Sequence, residues 1–172
     1  ARFDGRERGS LAHSILGSFY ERWRDETGWP RVTEDLLDEA LGMLEQIERS
    51  ADTIEVVGIS ETLARTELSA WVRGVVRADA RMPPGFEPIA HELSFGSVSE
   101  KQVDIGDGVK VRGRIDRIDA HGPVAIVTDY KTRTVKGWSS FESAGLIQVP
   151  LYAVAASRLL DLRIVGGVYR SL

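Results

Sequence analysis

Two acidic residues and one lysine stand in neighbouring segments that alternate between apolar and polar positions. Asp116 lies in Gly113-Arg-Ile-Asp-Arg-Ile-Asp119, and Asp129 and Lys131 lie in Val124-Ala-Ile-Val-Thr-Asp-Tyr-Lys131. Period-two alternation over this length predicts strands, and the Ala-His-Gly-Pro sequence between the segments predicts a turn. The sequence therefore predicts a β-hairpin that carries two carboxylates and a lysine.

The register of this hairpin decides where its charges meet. If it folds symmetrically about Gly122-Pro123, Asp116 lies opposite Asp129 with side chains roughly 5 Å apart. Lys131, two residues further on, then shares the face of Asp129. Opposed like charges destabilise a sheet, and a hard cation such as Mg²⁺ held between carboxylates removes that penalty. A surface hairpin with scattered charges explains these residues equally well at this point.

Composition limits the classes of protein to consider. The chain has 172 residues, 42% hydrophobic and 28% charged, as expected for one globular domain with a real core. It has no cysteine, which excludes a disulfide framework, a cysteine nucleophile, a thiolate zinc site and an iron–sulfur cluster within this chain. A net charge of −4 does not indicate a wholly basic, nucleic-acid-coating protein.

Nothing in the sequence resembles a targeting or membrane-spanning segment. No apolar run approaches the roughly 20 residues of a membrane span, and no signal-peptide pattern is present. We therefore expect a cytoplasmic protein that does not contact a membrane. The chain begins with Ala1 and ends directly after a strand-like segment at residues 163–169, so we also expect it to be a segment of a larger protein.

Helical periodicity dominates the first half of the chain and strand periodicity the second. Helices are predicted at residues 10–26, 33 or 34–49 and 61–80, the first and third capped by Ser10 and Ser60. The third should bury Leu63 with the other apolar residues of its inner row. Strands are predicted at residues 87–95 and 102–105, ahead of the hairpin. After the hairpin, the sequence predicts a loop at 132–143, a helix from about Gln148 to Leu160 and a strand at 163–169. This order predicts an α/β fold of the α+β kind, a single domain with a helical part at 1–85 and a mixed central sheet flanked by helices at 86–172.

A few residues outside the hairpin could join its chemistry. Glu92 alternates so that it could face the same cleft as the aspartates, and Gln148 and Tyr152, four apart on a helix, share a face. His13 lies on the first helix, where a lone histidine usually has no ligand role. His91 and His121 lie in a predicted strand and a predicted turn and are assigned no function.

Taken together, these residues resemble the PD-(D/E)XK nuclease superfamily, most closely its RecB-like branch. The resemblance rests on an ordered set: a helical histidine in Gly9-Ser-Leu-Ala-His13, Gly113-Arg-Ile-Asp116, Asp129-Tyr-Lys131 and Gln148-x-x-x-Tyr152. It extends from Gly9 to Tyr169. That branch includes the nuclease domains of RecB, AddB and AdnAB helicase–nucleases. The resemblance implies a restriction-endonuclease-like core and a metal-dependent deoxyribonuclease that acts in DNA end processing and recombinational repair. It favours an exonuclease over an endonuclease and leaves both open.

The resemblance also implies a role for each matched residue. The implied metal ligands are His13, Asp116, Asp129 and the main-chain carbonyl of Tyr130, with Glu92 as a further candidate. Lys131 would orient or activate the attacking water and help neutralise the phosphate, and Gln148 and Tyr152 would contact DNA or hold Lys131. Mg²⁺ suits the carboxylates, and imidazole suits Mn²⁺ better. Apart from the resemblance, the positive charges of Arg112, Arg114, Arg117 and Arg133 predict contacts to the DNA backbone that are sensitive to salt and independent of base sequence.

The implied partners are DNA, as single strands or duplex ends, and a helicase domain or subunit. Iron–sulfur members of the branch carry four cysteines, so this chain either belongs to a cluster-free group or has its cysteines elsewhere in a longer protein. Arg133 stands where many members have Gly.

Two other functions compete with the nuclease. A catalytically weak DNA-binding or assembly module of the same fold would have no need of the intact His13, Asp116, Asp129 and Lys131 set. A glycosidase with two carboxylates would not explain Lys131, and opposed strand positions are too close for an inverting mechanism.

Overall fold

A computed structural model describes residues 5–28, 31–51, 59–82, 84–97, 99–131 and 147–171 of the chain. The helices, strands and contacts of the protein are described for these residues only. By backbone contacts the chain divides into two compact units, Ala1–Pro84 with Leu172 and Gly85–Ser171. We call them the helical unit and the sheet unit. The division falls one residue before the predicted boundary between helical part and sheet core.

The helical unit contains three α-helices: α1 (Gly5–Thr27), α2 (Leu37–Ser50) and α3 (Ile59–Ala80), with a short 3₁₀ segment at Glu34–Leu36. The buried residues of α1 recur every three or four positions, as an amphipathic helix requires: Ala12, Ile15, Leu16, Phe19, Tyr20 and Trp23. The Tyr20 hydroxyl donates a hydrogen bond to the buried carboxylate of Asp79 on α3. None of the helices among the described residues is long and apolar enough to cross a membrane.

Three details of the helix predictions are wrong. Ser10 and Ser60 lie inside α1 and α3 instead of capping them. The Arg-Glu-Arg sequence before Ser10 has high helix propensity, which lets α1 begin earlier. Leu63, predicted to face inward, is 60% exposed, because the buried row of α3 follows Ala64 and Leu68.

The sheet unit contains a four-stranded mixed sheet. Its elements are β1 (Glu87–Phe95), β2 (Val103–Asp104), β3 (Lys110–Val111), β4 (Gly113–His121), β5 (Val124–Lys131), α4 (Gln148–Leu160) and β6 (Arg163–Ser171). The strand order is β1-β4-β5-β6, antiparallel except for the parallel pair β5 and β6, while β2 and β3 form a separate two-stranded sheet. The predicted mixed sheet is confirmed. The predicted strand at 102–105 is reduced to the two residues of β2.

The predicted hairpin consists of β4 and β5. Its described pairs run from His121 opposite Val124 to Arg117 opposite Thr128. This is the register that symmetry about Gly122-Pro123 predicts. Gly122 has a φ of +54°, a conformation that glycine adopts without steric cost.

Helix α4 follows β5 in the chain and packs on the sheet beside β6. The shared hydrophobic core contains strand residues and one side of α4: Phe95, Val103, Ile115, Ile118, Ala125, Val127, Val149, Tyr152, Ala155 and Ala156. Because Val149 and Tyr152 are anchored in this core, the first turn of α4 is fixed over the sheet.

Close packing between β6 and α4 depends on Gly167. A Cβ atom at this position would lie 2.1 Å from Cγ1 of Val149, a stiff and buried β-branched side chain. We expect Gly167→Ala to lower the free energy of unfolding by about 1–3 kcal/mol through overpacking. Urea unfolding measures it.

The neighbouring Gly166 supplies a matched control for that measurement. A Cβ atom there would lie 3.3 Å from Cγ2 of Ile126, a contact that a small shift relieves. Gly166→Ala should therefore cost clearly less stability than Gly167→Ala. Equal losses from the two substitutions would show that the contact with Val149 is not the cause.

Candidate active site

Asp116 and Asp129 lie where the pairing of β4 with β5 gives way to a different contact. The last described pair is Arg117 with Thr128, and the next positions in this register are the two aspartates. Beyond that pair, the main-chain N–H of Tyr130 donates to Asp116 Oδ2 over 2.7 Å. The carboxylate of Asp116 is thus oriented by the backbone of the neighbouring strand.

Both aspartates are buried, with exposures of 6% for Asp116 and 1% for Asp129. Burial removes carboxylates from water and raises the free energy of their charged forms. Lys131 offsets part of this cost, since its Nζ lies 2.6 Å from Asp129 Oδ2. A site with two buried carboxylates and one ammonium beside them is electrostatically suited to an added cation.

Lys131 is connected to α4 through two side chains. Its Nζ donates to Gln148 Oε1 over 2.7 Å, and Gln148 Nε2 donates to the Tyr152 hydroxyl over 2.8 Å. An ammonium has three donors, so the hydrogen bond to Gln148 and the ion pair with Asp129 leave at least one for a water or a phosphate oxygen. Among the described residues, the chain Asp129–Lys131–Gln148–Tyr152 is continuous from the sheet to the helix.

Tyr152 is the neutral end of this chain. The net effect of its surroundings is to raise the pKa of its phenol, with burial as the largest cause. The hydrogen bond from Gln148 lowers this pKa, the negative charges of Asp116 and Asp129 raise it, and the positive charge of Arg114 lowers it. An unperturbed tyrosine has a pKa of about 10. Tyr152 therefore keeps its proton near neutral pH and acts as a hydrogen-bonding group, not as a base.

The raised pKa of Tyr152 makes the folded state sensitive to alkali. The unfolded chain loses this proton first, so the stability linked to it is complete below about pH 10 and is lost as pH rises through the folded-state pKa. We expect Tyr152→Phe to retain more of its neutral-pH stability at about pH 10.5 than the parent does. Unfolding free energies at about pH 8 and pH 10.5 test this. If the parent and Tyr152→Phe lose the same unfolding free energy between these two pH values, the prediction is contradicted.

Glu92 lies beside Asp116 on the other side of β4. Its neighbours His91 and Leu93 pair with Arg117 and Ile115, so its register position is opposite Asp116. Its φ is +50°, a left-handed backbone conformation that is uncommon for a non-glycine residue. A Glu92 oxygen lies within 4.8 Å of an Asp116 oxygen.

Arg114 holds the carboxylate of Glu92. Its Nε lies 2.8 Å from Glu92 Oε2, and the Arg114 side chain is half exposed while that of Glu92 is mostly buried. Carboxylates from β1, β4 and β5 thus follow one another across the sheet, with a positive charge at each end, on Arg114 and on Lys131. An oxygen-rich donor set of this kind fits a hard divalent cation.

The predicted DNA-contacting arginines have different environments. Arg112, directly before β4, is exposed, and Arg114, within β4, is half exposed. Arg117 is 6% exposed, and its guanidinium donates through Nε and Nη2 to the buried carboxylate of Asp119 at 2.7–2.9 Å. The prediction for Arg117 is corrected accordingly: period-two alternation puts it on the face of Asp119, so it is a buried structural partner. Arg133 and the predicted loop at 132–143 lie outside the described residues.

The three histidines belong to three different elements. His13 is half-buried on α1 of the helical unit, and its ligand role stays a prediction. His91 is half-buried on β1. His121 Nδ1 lies 3.0 Å from the Gly85 carbonyl oxygen, near the turn between β4 and β5.

One residue beside the site was not predicted. Tyr169 on β6 pairs with Asp129 in the parallel register, and its ring centroid lies 5.5 Å from Lys131 Nζ. Tyr169 and Asp129 are far apart in the sequence, so local sequence patterns do not indicate that they are neighbours. A prediction would have required the register of β5 against β6, which neither alternation nor turn chemistry specifies.

Comparison with known proteins gives a consistent set of relatives. A family model for the PD-(D/E)XK nuclease superfamily matches residues 1–170. An ATP-dependent helicase/deoxyribonuclease subunit of Streptococcus pneumoniae (strain Hungary19A-6) is 28% identical over 177 residues, which cover 98% of this chain and 15% of the relative. The exonuclease/helicase subunit RexB of another S. pneumoniae strain is 28% identical over 175 residues, 96% of this chain and 15% of that protein.

A third relative comes from a different organism. An ATP-dependent helicase/deoxyribonuclease subunit of Acetivibrio thermocellus is 27% identical over 148 residues, covering 72% of this chain and 12% of the relative. The chain thus spans about 12–15% of the length of these curated relatives.

Proposed function

This chain belongs to the PD-(D/E)XK nuclease superfamily, and from that membership we propose that it hydrolyses phosphodiester bonds of DNA with the help of a divalent cation. The proposal is carried by one arrangement: Asp116 and Asp129 are both buried and follow directly after the last described β4–β5 pair, and Lys131 Nζ lies 2.6 Å from Asp129 Oδ2. Family membership alone would not separate an active nuclease from an inactive copy. An intact acid, acid and lysine set supports the active one.

Asp116 and Asp129 would hold the cation. Mg²⁺ or Mn²⁺ fits these oxygens, and we propose Glu92, His13 and the Tyr130 carbonyl as further ligands. When bound, such a cation lowers the pKa of water and stabilises negative charge on phosphate. The Tyr130 N–H contact holds Asp116 in one orientation beforehand, which lowers the cost of organising the site.

Lys131 would act on the water and the phosphate. Its ammonium is fixed between Asp129 and Gln148, so its remaining donor has a restricted direction. A donor held in this way can orient a water for attack on phosphorus and balance the charge that develops on the phosphate oxygens. Gln148, kept in place by Tyr152, sets the position of the ammonium.

Binding of the DNA strand would depend on arginines near the site. We propose Arg112 and Arg114 as backbone contacts, together with Arg133 from the sequence. Contacts of this kind are insensitive to base sequence and weaken with salt. Arg114 contacts Glu92 through Nε, so the Nη donors of the same guanidinium would serve the phosphate.

The names of the relatives supply the proposed setting. They are helicase/deoxyribonuclease subunits, and one is an exonuclease/helicase subunit. We propose that this chain works beside a helicase domain or subunit in the cytoplasm, degrading DNA ends as an exonuclease in recombinational repair. Ends delivered by strand separation would present single strands to the site.

A cleavage assay tests the proposed function. Purified protein is incubated with linear and circular, single- and double-stranded DNA in Mg²⁺, Mn²⁺ or EDTA. We expect cleavage of linear DNA with either cation, none in EDTA, and recovery when the cation is restored. Circular substrates distinguish exonuclease from endonuclease activity.

Two outcomes would count against the proposal. Equal cleavage with and without EDTA would remove the cation from the mechanism. DNA binding without cleavage, in this chain and in the full-length protein together with its helicase, would favour a binding module.

A further inference from the structure

Tyr169 contacts both elements that hold the lysine of the proposed site. Its ring lies 5.5 Å from Lys131 Nζ, which is within the range of a cation–π attraction. Its hydroxyl accepts a hydrogen bond of 3.2 Å from the main-chain N–H of Val149. Tyr169 is therefore in contact with β5 through Lys131 and with α4 through Val149.

The hydrogen bond to Val149 satisfies a main-chain N–H in the first turn of α4. The residue before α4 is Ile147, whose side chain makes no capping hydrogen bond. The first N–H groups of a helix have no partner within the helix, and Val149 provides one of them. By accepting this N–H, Tyr169 holds the turn that also contains Gln148.

Packing around Tyr169 keeps this geometry in place. Tyr169 pairs with Asp129 in the parallel register, which puts their side chains on one face of the sheet with Lys131. Gly167, two residues earlier, lets Val149 approach β6 closely. The first turn of α4 therefore packs directly beside Tyr169.

We infer that Tyr169 is a positioning residue for Lys131, acting through its ring on the ammonium and through its hydroxyl on the helix turn that carries Gln148. The inference rests on the proposed nuclease function and adds to it a residue outside the four motifs of the sequence. In this role Tyr169 acts on the reaction only through Lys131, which it restricts to one conformation.

Two substitutions separate the contributions of ring and hydroxyl. Tyr169→Phe keeps the ring and removes the acceptor, and we expect the single-turnover cleavage rate to fall about 3- to 10-fold. Tyr169→Leu removes both, and we expect a fall of about 30-fold or more. The dissociation constant for DNA should stay within about twofold of the parent, because no DNA contact is lost.

Two further readouts follow the route from the Tyr169 hydroxyl through α4 to Lys131. Amide hydrogen exchange at Val149 should be about tenfold faster in both variants, whether or not DNA is present. In a Gln148→Ala background, Tyr169→Phe should change the cleavage rate by less than about twofold, because its route through α4 has already been removed.

Tyr20→Phe is the matched control. It makes the same chemical change at a buried hydrogen bond in the helical unit, with Asp79 as the partner. It should lower the melting temperature and leave the cleavage rate per folded molecule unchanged.

The results that would overturn the inference are distinct from those that would overturn the function. If the parent cuts DNA and both Tyr169 variants cut at its rate, Tyr169 does not position Lys131 and the nuclease assignment stands. Rates that fall only in proportion to unfolded protein, as for Tyr20→Phe, would also overturn the inference. If the parent does not cut DNA with any cation or helicase partner, both the proposed nuclease function and the role of Tyr169 are refuted.

Discussion

Replacement of Asp129 by Asn should reduce DNA cleavage by about a thousandfold or more while the protein remains folded. Asn is nearly isosteric with Asp, so packing around this 1% exposed side chain is preserved. The substitution removes the negative charge that would hold the cation and that fixes Lys131 Nζ at 2.6 Å. Single-turnover cleavage of linear DNA in Mg²⁺ measures the loss.

A second measurement for Asp129→Asn does not involve activity. A ligand that binds only the folded state raises its stability, so Mg²⁺ or Mn²⁺ should raise the melting temperature of the parent and leave that of the variant almost unchanged. Asp107→Asn is the control: it makes the same change at an exposed residue of the turn between β2 and β3. Cleavage by Asp129→Asn at the parent's rate would refute the assignment of this carboxylate.

Lys131→Met should lower the cleavage rate by about a hundredfold or more without abolishing cation binding. Met retains much of the apolar stem and removes the ammonium that contacts Asp129 and Gln148. Without that charge the carboxylates become a more negative site, so Mn²⁺ should bind at least as tightly as in the parent. Cleavage kinetics and calorimetric titration with Mn²⁺ measure the two effects.

Stability provides a further signature of Lys131→Met. Asp129 loses its positive partner, so the cation-free variant should melt at a lower temperature than the parent, and Mg²⁺ should recover most of the difference. Lys110→Met, at an exposed position on β3, should leave melting and cleavage unaltered. If Lys131→Met does not bind Mn²⁺, the lysine is needed for cation binding itself, which contradicts the role proposed for it.

Local patterns were sufficient to predict the hairpin and the start of α4. Alternation indicated the strands, and the turn at Gly122-Pro123 indicated the register, which holds for every described pair up to Arg117 opposite Thr128. Helical spacing likewise predicted that Gln148 and Tyr152 share a face, and their side chains are hydrogen-bonded. These predictions succeeded because every interaction in them joins residues that are close in sequence or symmetric about one turn.

Predictions failed where a distant part of the chain decides the environment. Arg117 has the residue type of a DNA contact, but the face it occupies in β4 is buried and provides Asp119 as its partner. Ser10 has the residue type of a cap, but favourable residues before it extend α1. Tyr169 was missed because a parallel strand pair after a crossover helix has no local signature of its register.

The N–H contact between Tyr130 and Asp116 implies that part of the proposed active site is invisible to side-chain mutagenesis. The donor belongs to the main chain, and every residue except proline supplies it. A scan of all substitutions at position 130 would therefore rank side chains by how well they fill the surrounding core, and only Tyr130→Pro would remove the donor itself. An amide-to-ester replacement of that peptide bond is the change that would measure what the backbone contributes.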